Sequence, residues 1–304
     1  MKSFQHPDQT FAGQPAGLGV LLRRVDVGSG HQRLYEDQLP QLLRRLARQT
    51  KVESITASNA IEGVEVDPGR IEVLVAGDPP RLRNRSEKEF AGYADALDGL
   101  MREPMLEPLT VPRLLEFHRK MLAHTDGRGG YLKREDNQIA NRERDGSTRI
   151  IFEPPPWQET EGLIAGLCSS YGFALENQVA HPLVLLSAFV LDLLAIHPVV
   201  DGNGRMSRLA TTHELLRLGY GVARYVSVEQ RIFETKNAYY VALEQSQRGW
   251  HAGEHDIWPW TQYLVRILAE SYEDFEQHVA AGRGSEAGTK QNRVRYWVMN
   301  EAPE

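Results

Sequence analysis

Residues 183–196 form an apolar run interrupted only by Ser187 and Asp192. The run is too short to cross a bilayer, which takes about 20 apolar residues, and it carries an acid inside it. It is therefore read as a helix buried in a protein interior, and the rest of the chain must supply what encloses it. The other segments fit that demand. Leu39, Leu42, Leu43 and Leu46 fall at i, i+3, i+4 and i+7, and the helical reading continues through Thr50, Val52 and Ile55 to Glu62, with Gly63 as a natural stop. Ser86–Met101 is helical again. Thr110-Val111-Pro112 opens a helix that carries Leu114, Leu115, His118 and Met121. Further helices are predicted at Trp157–Glu176, Leu183–Ile196, Arg205–Leu218, Arg231–Gln247 and Trp258–Ala280. Trp250, Trp258 and Trp260 read as packing anchors.

One β signal stands among the helices. Asn137–Ala140 and Thr148–Phe152 flank Asp145-Gly146, a pair suited to a hairpin turn, and Pro154-Pro155-Pro156 ends the second strand. The fold class is mostly α, a helical bundle with one β-hairpin. Residues 1–36 show no sustained period and read as a partly ordered arm. Residues 37–109 read as an N-terminal helical region and 110–280 as the core. Ala280–Gly288 reads as a linker. Asn292–Met299 then begins either the first helix of a further domain or a fraying tail.

Composition narrows the function. The 304 residues carry 35 Lys and Arg against 41 Asp and Glu, a net charge of −6, which argues against binding nucleic acid through bulk charge. The single cysteine, Cys168, excludes a disulfide within the chain and a multi-cysteine zinc site. No pair of histidines has ligand spacing with a third partner. Met1–Gly13 lacks a signal-peptide core, so the expected compartment is the cytoplasm, with no membrane association.

The chemistry concentrates in His197-Pro198-Val199-Val200-Asp201-Gly202-Asn203-Gly204-Arg205-Met206-Ser207-Arg208. Proline ends the apolar helix, so His197 projects from a helix end. The Gly-Asn-Gly loop lets a ligand approach the backbone, and the N–H groups of the next helix attract anions. Arg205 and Arg208 add charge at i and i+3. Asp201 offers a hard oxygen for Mg²⁺. A histidine beside such a cradle can take a proton from an attacking hydroxyl. The set suits phosphoryl or nucleotidyl transfer.

These residues resemble the signature of the Fic family, H-P-F-x-D/E-G-N-G-R-x-x-R, departing from it at Val199 where the family usually has Phe. The likeness runs from about Ala47 to Ala280 and takes in Gly130-Tyr131, Ile150–Pro155, His181-Pro182-Leu183, Asn237–Tyr240 and Trp258. The resemblance implies a Fic-type helical bundle with a hairpin flap beside the active site. It also implies an adenylyltransferase that moves AMP from ATP to a Ser, Thr or Tyr hydroxyl of a target protein. His197 would be the general base and Asp201 the Mg²⁺ ligand. Gly202, Asn203, Gly204 and Arg205 would form the phosphate cradle, with Arg208 on the γ-phosphate. Tyr240 aligns with a tyrosine beside adenine, and Gln247 stands where an adenine-contacting Asn is frequent.

Ser58-Asn59-Ala60-Ile61-Glu62-Gly63 resembles the family's inhibitory motif, S/T-x-x-x-E-G/N. Ser58 and Glu62 share a helix face, and the carboxylate could pair bidentately with Arg208. Ile150, Ile151 and Phe152 are the expected flap strand, able to hold an extended target through main-chain hydrogen bonds. Self-modification and a homodimer are compatible with the family. Two rival readings stand beside the first: Glu62-dependent removal of AMP, and a DNA-binding regulator whose winged-helix domain would begin near Asn292 and extend past Glu304. UTP, GTP and CDP-choline are alternative donors.

Overall fold

The apolar run forms a helix, Pro182–Ile196, and every residue from Leu183 to Ile196 is buried. The chain order around it is α1 (Pro7–Thr10), α2 (Leu18–Gln38), α3 (Pro40–Ile61), α4 (Ile71–Val75), α5 (Arg85–Arg102), α6 (Val111–Met121), β1 (Ile139–Arg142), β2 (Thr148–Phe152), α7 (Trp157–Glu176), α8 (Pro182–Ile196), α9 (Asn203–Arg217), α10 (Val228–Glu234), α11 (Lys236–Gln247) and α12 (Trp258–Asn300). This computed structural model describes residues 2–76, 81–142 and 148–300. Helices α7, α9, α11 and α12 all pack on α8, and one apolar cluster extends from Leu18 to Val279. Among the described residues no helix is long and apolar enough to cross a membrane.

The acid inside the run is satisfied locally. Asp192 accepts from the Trp250 indole N–H at 2.7 Å, from the Ser3 hydroxyl at 2.8 Å and from the Ser3 main-chain N–H at 3.1 Å. Burial raises its pKa, and these donors only partly offset that. Three donors replace the water a buried carboxyl would otherwise lose.

Several expectations change. Helix α2 (Leu18–Gln38), packed along α12, takes in residues 18–36 of the expected partly ordered arm. Its buried face includes Gly28, Ser29 and Gln32, so the apolar period is masked. Gly28 is required there because a Cβ would lie 2.7 Å from the Tyr272 side chain. The expected linker at 280–288 is instead part of α12. Gly282 is buried, and a Cβ on it would come 2.5 Å from Leu42, so this glycine serves helix contact rather than chain freedom. The segment from Asn292 continues the same helix. The helix expected over Arg231–Gln247 breaks at Thr235, whose hydroxyl lies 2.8 Å from the Tyr263 hydroxyl.

Other signals hold. Thr110 caps α6 by accepting from the Arg113 N–H, and Gly63 ends α3 at φ +75°. The hairpin is antiparallel, with Ile139 opposite Phe152 and an irregularity after Ile139. The Asp145-Gly146 turn lies outside the described residues. Ile150 is exposed and Ile151 half-buried. Phe152 stacks on the His251 ring at 5.2 Å and meets Trp250 edge-on, so it anchors the hairpin to the body.

Candidate active site

The loop between α8 and α9 leaves one buried helix and enters another, and it is tied down along its length. His197 caps α8 in the left-handed region, φ +50°, a strained position for a side chain with a Cβ. Contacts on both sides hold it there. Asn137 donates to the carbonyls of His197 and Val199 at 3.2 and 3.1 Å. Lys133 is buried and donates to the carbonyls of Ile196 and Pro155 and to Asn137 Oδ1. Asn203 closes the loop on itself, accepting from the Val199 N–H at 3.0 Å and donating to the Val199 carbonyl at 2.7 Å. Its side chain is thus spent on the loop, and what it can offer an anion is its main-chain N–H at the start of α9. Val199 is fully buried.

His118 sits beneath the loop. It accepts from the Gly130 N–H at Nδ1 and donates from Nε2 to the Asp201 carbonyl at 3.1 Å. Burial lowers its pKa, in keeping with a neutral supporting role. Gly202 adopts φ +85° over Met121.

His197 keeps one ring nitrogen free to accept a proton. Its Nδ1 lies 3.2 Å from the Leu194 carbonyl, which can only accept, so Nδ1 carries the proton and Nε2 is left with a lone pair. Burial pushes its pKa down to about 4; the Leu194 bond and Glu62 oppose the shift, and Lys133 adds to it. The imidazole is neutral at pH 7. The Asp201 side chain is 52% exposed and lies 3.2 Å from Arg85. A half-exposed carboxylate beside a helix N-terminus fits Mg²⁺, which needs few protein ligands when phosphates supply the rest.

The two motif arginines have different partners. Arg205, expected in the phosphate cradle, is buried and paired with Glu89 at 2.8 Å, so its charge is already matched inside the protein. Arg208 is buried too. Its Nε donates to the Ser58 hydroxyl at 2.8 Å, and its Nη2 donates to the Ser58 carbonyl at 2.9 Å and to Glu62 Oε1 at 2.7 Å. The expected bidentate pairing is therefore a single charge-assisted bond, because Ser58 takes two of the donor directions. Arg208 Nη1 is buried with no hydrogen-bond partner among the described residues.

Glu62 is held from several sides. Burial raises its pKa, but the charge and hydrogen bond of Arg208, with Arg205 and Lys236 behind, more than reverse this and keep it below the usual carboxylate range. A Cβ on Gly204 would overlap Glu62 Oε1, so the carboxylate rests on the first turn of α9, where an anion would bind. Lys236 was missed from the sequence. Its Nζ donates to the Ile61 carbonyl at 2.6 Å and lies 5.9 Å from the Tyr240 ring. The break at Thr235 starts α11 at Lys236, beside the end of α3. Tyr240 is 42% exposed, whereas Gln247 is buried at the far end of α11. Arg85, Lys133 and Asn137 were missed as well; their contacts with the loop and the end of α8 span 60 or more residues of sequence.

Residues 108–215 match the Fic/DOC family. The matched stretch includes the His197–Arg208 loop and excludes α3. A protein adenylyltransferase Fic from Nematostella vectensis is 24% identical over 239 residues, 77% of this chain and 50% of that protein. One from Drosophila yakuba is 28% identical over 158 residues, 52% of this chain and 27% of that protein. The chain thus spans half or less of these curated relatives. Two solved structures share the fold. A Fic family protein from Desulfovibrio desulfuricans G20 superposes with a TM-score of 0.73 at 22% identity, covering 88% of this chain and 77% of that one. A Fic domain containing signaling protein from Bacteroides thetaiotaomicron VPI-5482 gives 0.69 at 22%, covering 87% and 97%.

Proposed function

We propose, from the premise that this chain belongs to the Fic family through its domain at residues 108–215, that it is a protein adenylyltransferase held inactive at rest by its own Glu62. It would move AMP from ATP to a hydroxyl side chain of a target protein. The observation that carries the reading is a neutral His197 at one end of the loop and, at the other, a helix N-terminus already covered by a carboxylate.

In the forward reaction the target hydroxyl oxygen attacks the α-phosphorus of ATP. The bond from that phosphorus to the bridging oxygen breaks, pyrophosphate leaves, and the hydroxyl proton passes to Nε2 of His197. The N–H groups at the start of α9 stabilise charge on the α-phosphate. Asp201 would hold Mg²⁺, whose charge would neutralise the α- and β-phosphates. Arg208 would take the γ-phosphate once freed from Glu62, and the main-chain edge of the hairpin would present the target. In the resting protein Glu62 both engages Arg208 and lies where the phosphates must sit.

The test is self-labelling with α-labelled ATP and Mg²⁺ in a Glu62→Gly background. Labelling is expected, and His197→Ala should abolish it. Labelling that survives His197→Ala would remove histidine as the base.

A second reading rests on Glu62 being ionised and a third exposed: such a carboxylate could activate water to remove AMP from a modified protein. Loss of AMP from a pre-modified target with Glu62 present, and none with Glu62→Gly, would favour removal.

A further inference from the structure

The groove beside the catalytic loop carries unmatched positive charge on a chain whose net charge is −6. Two cavities of about 480 and 390 Å³ meet there, both lined by His118, Arg128 and Val200. The first is bounded by Arg83, Arg85 and Lys88 at the start of α5. The second follows residues 131–135, which lead toward β1. Asp201 and Glu89 both face Arg85, Glu89 also pairs with Arg205, and Asp126 faces Lys88. Among the described residues no ion pair holds the side chains of Arg83, Arg128 or Arg134, although the Arg83 main-chain N–H donates to Glu87, whose charge also acts on Arg83. Glu135 is the one remaining acid in the lining.

We propose that this groove docks an acidic segment of the protein acceptor, a reading that rests on the transferase assignment and names its substrate class. Place supports it: Val200 is three residues from His197 and 60% exposed, and Tyr131 is 63% exposed, so the groove offers apolar footing beside the base. Charge supplies the selectivity. Guanidinium groups without partners match carboxylates in a bidentate geometry. A nucleic-acid backbone fits less well, because Asp126, Asp201 and Glu135 are interspersed among the cations and would face a continuous line of phosphates. An extended peptide can place its acidic side chains at alternate positions and avoid them.

The experiment measures binding without ATP. A fluorescein-labelled peptide of alternating Glu and Gly is titrated against the full chain and followed by anisotropy. Matched probes are an alternating Lys-Gly peptide and an oligouridylate RNA. The Glu peptide is expected to bind, more weakly as salt rises, and the Lys peptide not to bind. Arg128→Glu with Arg134→Glu, two exposed surface changes, should weaken binding about tenfold, while Arg45→Glu on α3, outside the groove, leaves it unchanged. No binding of the Glu peptide, equal affinity in the double variant, or RNA binding as tight and equally sensitive to the double variant would overturn the proposal. Peptide binding with no labelling by Glu62→Gly would instead sink the transferase reading alone.

Discussion

Replacing Glu62 with Gly removes one carboxylate and little else. The α3 terminus does not depend on that side chain: the Gly63 and Val64 N–H groups donate to the Ala60 and Asn59 carbonyls, and Gly63 already supplies the positive φ. Arg208 keeps both Ser58 contacts. What is lost is one charge-assisted bond of 2.7 Å to a side chain 32% exposed. Hydrogen bonds to charged groups contribute about 1.5–3 kcal/mol, and partial exposure places this one toward the low end, about 1.5–2 kcal/mol. If that bond sets the ratio of closed to open sites, the variant should self-label about 10- to 30-fold faster. The assay is the initial rate of label incorporation from α-labelled ATP with Mg²⁺, at matched protein concentration. Glu62→Gln keeps the size but loses the charge, and should fall between wild type and Glu62→Gly. Equal rates for all three, with His197→Ala inactive, would refute the reasoning, since the site would then be open without any change at residue 62.

The remaining expectations follow from the same contacts. Burial pushes His197 down to about 4, so if it is the base, the labelling rate of Glu62→Gly should be flat from pH 8 to about pH 5.5 and fall toward pH 4, as an initial-rate profile would record. The same depressed value means the unfolded chain binds more protons on this side chain between about pH 6.5 and 4, so His197 contributes stability at neutral pH that is lost on acidification across that window. Lys236→Met should release the brake in part, about 2- to 10-fold in labelling rate for one lost bond to the Ile61 carbonyl; Lys236→Arg should restore it, and the effect should vanish in a Glu62→Gly background. Gly204→Ala drives a methyl into Glu62 and should lower the melting temperature by about 2–5 °C at a cost of about 1–3 kcal/mol. Thermal denaturation should show that loss only while Glu62 is present.

The sequence made legible those features whose cause is local. Gly202, the helix break at Pro198 and the stop at Gly63 declare themselves because backbone freedom is written in residue type. The single bond between Glu62 and Arg208 was foreseeable as a pair but not in its geometry, since nothing in the spacing shows that Ser58 would claim two of the guanidinium's donor directions. The Arg205–Glu89 pair was not foreseen for a related reason: Glu89 lies on α5, more than a hundred residues earlier, and a buried pair has no local signature. Lys133 and Asn137 look like ordinary polar residues in a turn, yet they carry the carbonyls on both sides of the strained His197. Helix α2 escaped because its apolar period is short: Leu18, Leu22 and Val25 begin the buried face, but Gly28, Ser29 and Gln32 continue it, with Gly28 packed tightly against Tyr272 of α12. Gly282 misled in the same way, since a glycine at a helix contact reads like one in a linker.

The buried Asp192 has a consequence for anyone who would excise the catalytic unit. The carboxyl sits in the helix that presents His197, and two of its three donors come from residue 3. The stretch that matches the family begins at residue 108. A fragment cut there would strip both donors from an acid with no access to water, along with α2, α3 and α5 that cover the bundle. The border of likeness and the border of self-sufficiency do not coincide, and the opening residues of the chain support the helix that ends at His197 as much as the motif does.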